Sequence, residues 1–137
     1  MAMKSTAALL GALAAALFGQ AIATAEDYAF DLRKAHPAAF AAWTKIVPGM
    51  YRKNDWIARL DGTTGPMEQV TMRGRVFFYG SVCQPHDCAG NDVAFLAAED
   101  GSAAYGMLSS DNLGVKQRIF GAPDAEARQL LGAKLAQ

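Results

Sequence analysis

The central part of the chain alternates apolar and polar residues in short segments, a pattern typical of β-strands with one face toward a core. Turn residues separate the segments, as in Asp61-Gly62-Thr63-Thr64-Gly65-Pro66 and Glu99-Asp100-Gly101-Ser102. In the second of these, Asp-Gly supplies the positive φ angles that a tight hairpin needs. The pattern predicts six strands: Trp56–Leu60, Glu68–Met72, Arg75–Cys83, Asp92–Ala97, Ala103–Leu108 and Lys116–Phe120.

Two flanking segments have helical periodicity. In Pro37–Val47, Phe40, Trp43 and Val47 follow one another at i, i+3 and i+7, which places them on one helix face. The segment Pro123–Leu135 repeats this behaviour, with acidic residues in its first turn where they favour the helix dipole. Residues 26–34 are polar and charged and predict a loose lead-in. The order helix, strands, helix predicts an α+β domain in which helices pack on one face of an antiparallel sheet.

The N-terminal segment predicts export. Lys4 is followed by the uncharged, Ala- and Leu-rich run 7–18 and then by small residues in an A-x-A arrangement, the layout of a secretory signal peptide. A membrane anchor would need roughly 20 apolar residues, and this run is shorter and ends in Gly19-Gln20. We expect a signal peptide over residues 1–25, cleaved after Ala23 or Ala25, a periplasmic location, and no membrane association after cleavage.

The remaining chain is small and nearly neutral. Cleavage after Ala25 leaves 112 of the 137 residues, a size that fits one domain over 26–137 and at which a covalent crosslink helps stability. The whole chain has 13 basic and 13 acidic residues, and removal of Lys4 alone leaves 12 against 13, or net −1. This balance leaves no excess of basic residues of the kind that nucleic-acid-binding domains have, and we expect no nucleic-acid partner.

The segment Cys83-Gln84-Pro85-His86-Asp87-Cys88 interrupts two strong strand patterns. Two cysteines in an exported chain predict a disulfide, which would close a short ring worth about 2 kcal/mol in the chain-entropy model. Pro85 fixes one φ angle, so His86 is expected at or near the apex of a rigid projection. Asp87 could accept hydrogen bonds from the loop backbone or from the imidazole.

Other chemistry fits these residues poorly. A zinc site needs four ligands at recurring spacings, and the only other histidine, His36, precedes a helix start and is expected to be exposed. A redox pair would show C-x-x-C, and a cysteine nucleophile would need a free thiol. Glu99 and Asp100 are adjacent in a turn, unlike a glycosidase pair. We expect no metal, no cofactor and no enzymatic activity, and composition alone leaves open a crosslinked hairpin connection without a partner.

The hexapeptide Cys83–Cys88 resembles, at five of six positions, the C-K-P-H-D-C loop of the Ivy family of lysozyme inhibitors. The remaining resemblance, roughly from Phe40 to Phe120, concerns layout: a helix before the loop, Trp56 at the start of the strands, and Thr64-Gly65-Pro66 before a long strand ending in the loop. It implies an antiparallel sheet with helices on one side. It also implies that the loop enters the cleft of a c-type lysozyme, with His86 between the two catalytic carboxyl groups.

By the same resemblance, Cys83 and Cys88 close the loop, and Pro85 and Asp87 shape its tip. Gln84 departs from the pattern, because it replaces a lysine whose charge could meet acidic groups in the cleft. The resemblance also leaves open an alternative hypothesis for the function. In it, the protein is a periplasmic binding or regulatory module that acts on the bacterium's own lytic transglycosylases or on another partner. Ivy proteins can form homodimers, although no feature of this sequence requires one.

Overall fold

The computed structural model describes residues 27–136. The expected signal peptide and its cleavage site therefore lie outside the described residues. A 3₁₀ turn at Ala29–Asp31 leads into the first helix, and another lies at Gly49–Tyr51. The helices are α1 (Leu32–Ala35), α2 (Pro37–Ile46), α3 (Asp55–Ala58) and α4 (Ala125–Leu135), and the strands are β1 (Glu68–Met72), β2 (Arg75–Cys83), β3 (Asn91–Ala98), β4 (Ala104–Ser110) and β5 (Val115–Phe120).

The five strands form one antiparallel sheet in the order β1-β2-β3-β4-β5, so each strand pairs with its neighbour in sequence. The β2–β3 register runs from Phe77 opposite Ala98 to Cys83 opposite Asp92. The loop that joins these two strands contains Cys88, so both cysteines lie at the same end of the pairing. Between β4 and β5 the register shifts near Ser110. The α+β class, the single antiparallel sheet and the disulfide are confirmed.

Alternate residues of the central strands enter two separate apolar clusters. Phe78 and Phe95 pack with Trp43 of α2 on one face, whereas Tyr79 and Leu96 pack with Leu131 of α4 on the other. The first three helices thus cover one face, as expected, and α4 adds a layer on the opposite face. The physical reason is that β2 and β3 are apolar on both faces, so each face needs a cover.

Two local predictions are wrong. Residues 56–60 do not form a strand, because Asp55–Ala58 is a helical turn that buries Trp56 and Ile57. The lead-in is not loose either, since Ala29 and Leu32 are fully buried in the 3₁₀ turn and α1. Both segments are too short for periodicity to distinguish the alternatives, and packing on the sheet decides them.

His36 is not an exposed histidine. Its imidazole lies over the ring of Phe78, with 4.1 Å between ring centroids, and its Nε2 is 3.0 Å from Asp27 Oδ2. The side chain retains 24% of its accessible surface. The residue ties the first described segment to the sheet and is far in sequence from the cysteine loop.

Candidate functional site

The loop between β2 and β3 is closed by a disulfide between Cys83 and Cys88, whose Cα atoms are 4.9 Å apart. The base of this ring is held from two sides. Cys83 pairs with Asp92 of β3 and also with Thr63, through the Thr63 N–H to Cys83 carbonyl bond of 3.1 Å and its reciprocal of 2.9 Å. The loop therefore projects from the ends of two interior strands, where Cys83 is hydrogen-bonded on both sides.

The tip of the loop is a tight turn from Gln84 to Asp87. The Asp87 N–H donates to the Gln84 carbonyl at 3.1 Å, Pro85 occupies the first central position, and His86 has φ +64° at the second. This is the type II arrangement, in which the second central residue is usually Gly or Asn because it must adopt a positive φ. The turn places His86 at the apex, and its side chain is exposed, as the sequence predicted.

A buried amide supports the loop from below. Asn91, the first residue of β3, retains 1% of its accessible surface. Its Nδ2 donates to the carbonyls of Asp87 and Ala89, each at 3.2 Å. Its Oδ1 accepts from Ser110 Oγ at 2.7 Å and from the Asn112 N–H at 3.1 Å. Because an amide side chain has two donors and two acceptor positions, Asn91 is fully hydrogen-bonded.

A second amide contacts the loop from the β4–β5 turn. Asn112 Nδ2 donates to Gln84 Oε1 at 2.9 Å and to Asp87 Oδ2 at 2.8 Å. Asp87 thus accepts from a distant side chain, whereas the sequence suggested the loop backbone or the imidazole. Gln84 is engaged in the same contact, and a lysine at this position could not accept that hydrogen bond.

An open groove of about 700 Å³ lies between the base of the loop and the C-terminal end of α4. Its lining residues include Cys83, Cys88, Asp92, Ser109, Gln117 and Leu135.

Partial burial raises the pKa of the Asp92 carboxyl above its ordinary value. Two further carboxyl groups lie at this end of the molecule. Asp87 is on the loop, and Asp111 donates its N–H to the Gly90 carbonyl at 2.9 Å and lies beside Lys116.

The loop Cys83–Cys88 could be identified from the sequence, but its supporting residues Asn91, Ser110 and Asn112 could not. The available signal was weak: Gly90-Asn91 lies where a strand begins, and Asp111-Asn112 lies in a turn, where asparagine is common for local reasons. That these two turns meet across 21 residues of sequence follows only from the β3–β4–β5 meander.

These features define a small α+β module built to present a rigid, histidine-tipped loop at its surface. The sequence profile of the Ivy family, described as inhibitor of vertebrate lysozyme, matches residues 38–137, and the chain belongs to this family. Members of the family are inhibitors, and this chain is not an enzyme.

The chain is also similar to individual proteins, one of which has an assigned role. A Pseudomonas aeruginosa protein named inhibitor of vertebrate lysozyme is 29% identical, over 93% of this chain and 89% of its own length. An uncharacterized protein of the same species is also 29% identical, over 94% of this chain and 90% of its own length. A Yersinia pestis protein, likewise uncharacterized, is 32% identical over 52% of this chain and 46% of its own length.

Within residues 27–136 no helix has the length and apolar character needed to cross a membrane.

The disulfide gives a first prediction. We expect the protein to carry no free thiol. We expect reduction to weaken binding to the target, because the disulfide joins the two ends of the loop, while the free energy of unfolding falls by only about 2 kcal/mol for a ring this short. Mass spectrometry after alkylation without reductant tests the first part. Binding and melting curves with and without reductant test the second. Two alkylated cysteines in periplasmic material would contradict the pairing.

Proposed function

We propose that this chain inhibits c-type lysozyme in the periplasm, and that the loop Cys83–Cys88 enters the active-site cleft with His86 between the two catalytic carboxyl groups. The observation that carries the proposal is the position of His86, which stands exposed at the second central position of a closed turn, at φ +64°. Family membership supports the target class.

The chemistry of the imidazole matches such a cleft. A lysozyme keeps one catalytic carboxyl group protonated as the general acid and the other ionised. A neutral imidazole has one N–H donor and one nitrogen acceptor on opposite sides of its ring. It can therefore donate to the carboxylate and accept from the protonated acid at the same time, which occupies both catalytic groups without reaction.

The shape of the loop supports the same conclusion. Binding a flexible segment costs conformational entropy that reduces affinity, and a preformed segment avoids most of that cost. Here the ends of the loop are joined by the disulfide, and its tip is hydrogen-bonded to Asn91 and Asn112. The free protein thus presents His86 in a defined position before it meets the target.

A lysis assay tests the proposal directly. Purified mature protein is added to c-type lysozyme and bacterial cell walls, and we expect inhibition that saturates near one inhibitor per enzyme. If no inhibition occurs at micromolar concentrations, lysozyme is the wrong target. The same assay with a lytic transglycosylase, which has a related cleft with one catalytic glutamate, then tests the alternative role in regulating the bacterium's own wall-cleaving enzymes.

The charge distribution predicts a mild effect of salt on association. Since the mature chain is close to neutral, long-range attraction to a basic lysozyme is small. The loop end nevertheless contains Asp87, Asp92 and Asp111, so a short-range electrostatic contribution to the association rate remains. We expect the association rate to fall by no more than about tenfold between low and physiological salt, and Asp111→Asn to remove part of that dependence. Stopped-flow association rates measure both, and a fall of several orders of magnitude would contradict the prediction.

The residue that departs from the family motif provides another prediction. Gln84→Lys adds a positive charge that can meet acidic groups in the cleft, but it gives up the hydrogen bond from Asn112. We expect it to tighten binding to lysozyme. Gln84→Met is the matched control, because it loses the same hydrogen bond without gaining charge and should weaken binding. The dissociation constants of the two variants, compared at low salt, isolate the charge. If both variants bind equally, position 84 does not face acidic groups of the target.

A further inference from the structure

The two ends of the loop and its tip are held by different means. The disulfide joins Cys83 to Cys88 at the base of the ring. The contacts made by Asn91 and Asn112, here called the amide brace, reach the tip: they engage the Asp87 carbonyl, the Asp87 carboxylate and the Gln84 amide. The two restraints share no atom, so opening the disulfide removes none of the donors or acceptors of the brace.

The amide brace is anchored in buried parts of the sheet. Asn91 is buried and belongs to β3, which pairs with strands on both sides. Ser110, which donates to Asn91 Oδ1 and accepts the Leu113 N–H at 3.2 Å, is also buried, with 1% of its surface accessible. The β4–β5 turn that presents Asn112 is thus anchored through the same buried amide that supports the loop.

The turn needs such support. His86 has φ +64°, a left-handed backbone conformation that non-glycine residues seldom adopt, although histidine adopts it more often than most. The brace binds the residues on both sides of the Pro85-His86 pair, namely Gln84 and Asp87. Together with the bond from Asn91 to the Asp87 carbonyl, these contacts lie one residue nearer to the Pro85-His86 pair than the disulfide does.

We propose that Asn91 and Asn112 are positioning residues that keep the loop Cys83–Cys88 in its projecting shape independently of the disulfide, so that the loop remains ordered when the disulfide is reduced. The importance of this order for inhibition rests on the proposed function. Reduction would then loosen the base of the ring and weaken binding, while the amide brace still holds the turn that carries His86.

The test measures loop order in the free protein by NMR solvent exchange at the Asp87 N–H, before and after reduction. The key variant is Asn112→Ala, which removes the two hydrogen bonds that the Asn112 side chain donates to Gln84 and Asp87. The hydrogen bonds that the buried Asn91 donates to the loop remain. Asp111→Ala is the matched control, because it truncates the neighbouring exposed residue of the same turn. Exchange at Phe95, in the core of β3, reports any general loss of stability.

We expect reduced wild type to retain slow exchange at Asp87 and reduced Asp111→Ala to match it within about twofold. Reduced Asn112→Ala should exchange at Asp87 about tenfold faster, as the loss of hydrogen bonds of ordinary strength implies, while exchange at Phe95 stays the same. Reduced wild type that already exchanges at the unprotected rate would overturn the proposal, and so would an Asn112→Ala variant indistinguishable from Asp111→Ala.

Lysozyme binding, measured in parallel, separates the two proposals. If the amide exchange in the loop follows the expected pattern but neither wild type nor any variant binds lysozyme, the brace is supported and the proposed function fails. If wild type binds lysozyme and the exchange pattern is absent, the proposed function stands and the brace is overturned. With both correct, reduced Asn112→Ala should bind about tenfold more weakly than reduced wild type.

Discussion

Replacing His86 with alanine is expected to abolish most inhibition while leaving the fold intact. In the complex the imidazole would be desolvated against two carboxyl groups, and removing a central side chain of that kind typically costs about 2 kcal/mol or more, which is over tenfold in affinity. In the free protein the side chain is exposed, so its removal leaves no core cavity and the thermal midpoint should barely change. The dissociation constant for a c-type lysozyme and the melting curve measure the two effects.

The unusual backbone at this position calls for a control. His86 has φ +64°, and alanine tolerates that conformation less well than asparagine, which adopts it readily. His86→Asn therefore keeps the turn while removing the imidazole, and it should lose affinity nearly as strongly as His86→Ala. If His86→Asn binds as tightly as wild type, the imidazole is not the inhibitory group. If both variants bind as wild type does, the loop does not act as a plug in this protein.

The largest effect on stability is expected at Trp43. This residue is fully buried and lies between the rings of Phe95 and Phe120, with centroid distances of 6.2 and 5.9 Å. Its Nε1 donates to the Ile57 carbonyl at 2.9 Å, which ties α2 to α3. Trp43→Ala should lower the free energy of unfolding by about 3–5 kcal/mol, the range found when large aromatic residues are truncated in cores. Urea denaturation measures this directly.

Two further variants separate the contributions at this site. Trp43→Phe keeps much of the packing but leaves the Ile57 carbonyl without its donor, which typically costs about 1–3 kcal/mol for a buried group. Thr44→Ala changes the exposed neighbour on the same helix and should have little effect. A Trp43→Ala variant as stable as Thr44→Ala would contradict the assignment of Trp43 to the centre of the core.

Much of the sheet and the identity of the loop were determined by the sequence alone. The bounds of Glu68–Met72 and Arg75–Cys83 agree with the structure to the residue, because strand alternation and turn residues are local signals. The disulfide pairing followed from the presence of only two cysteines. The exposed His86 followed from its place in a short closed ring.

Tertiary structure alone decided the support of that loop and the placement of the helices. Trp56 belongs to a helical turn, since a short segment takes the conformation that buries its apolar surface best. α4 covers the second face of the sheet because β2 and β3 are apolar on both faces. The role of Asn91 depends on partners 19 and 21 residues away. No local pattern encodes such a contact, because a buried amide becomes favourable only where the folded chain supplies all of its hydrogen-bond partners.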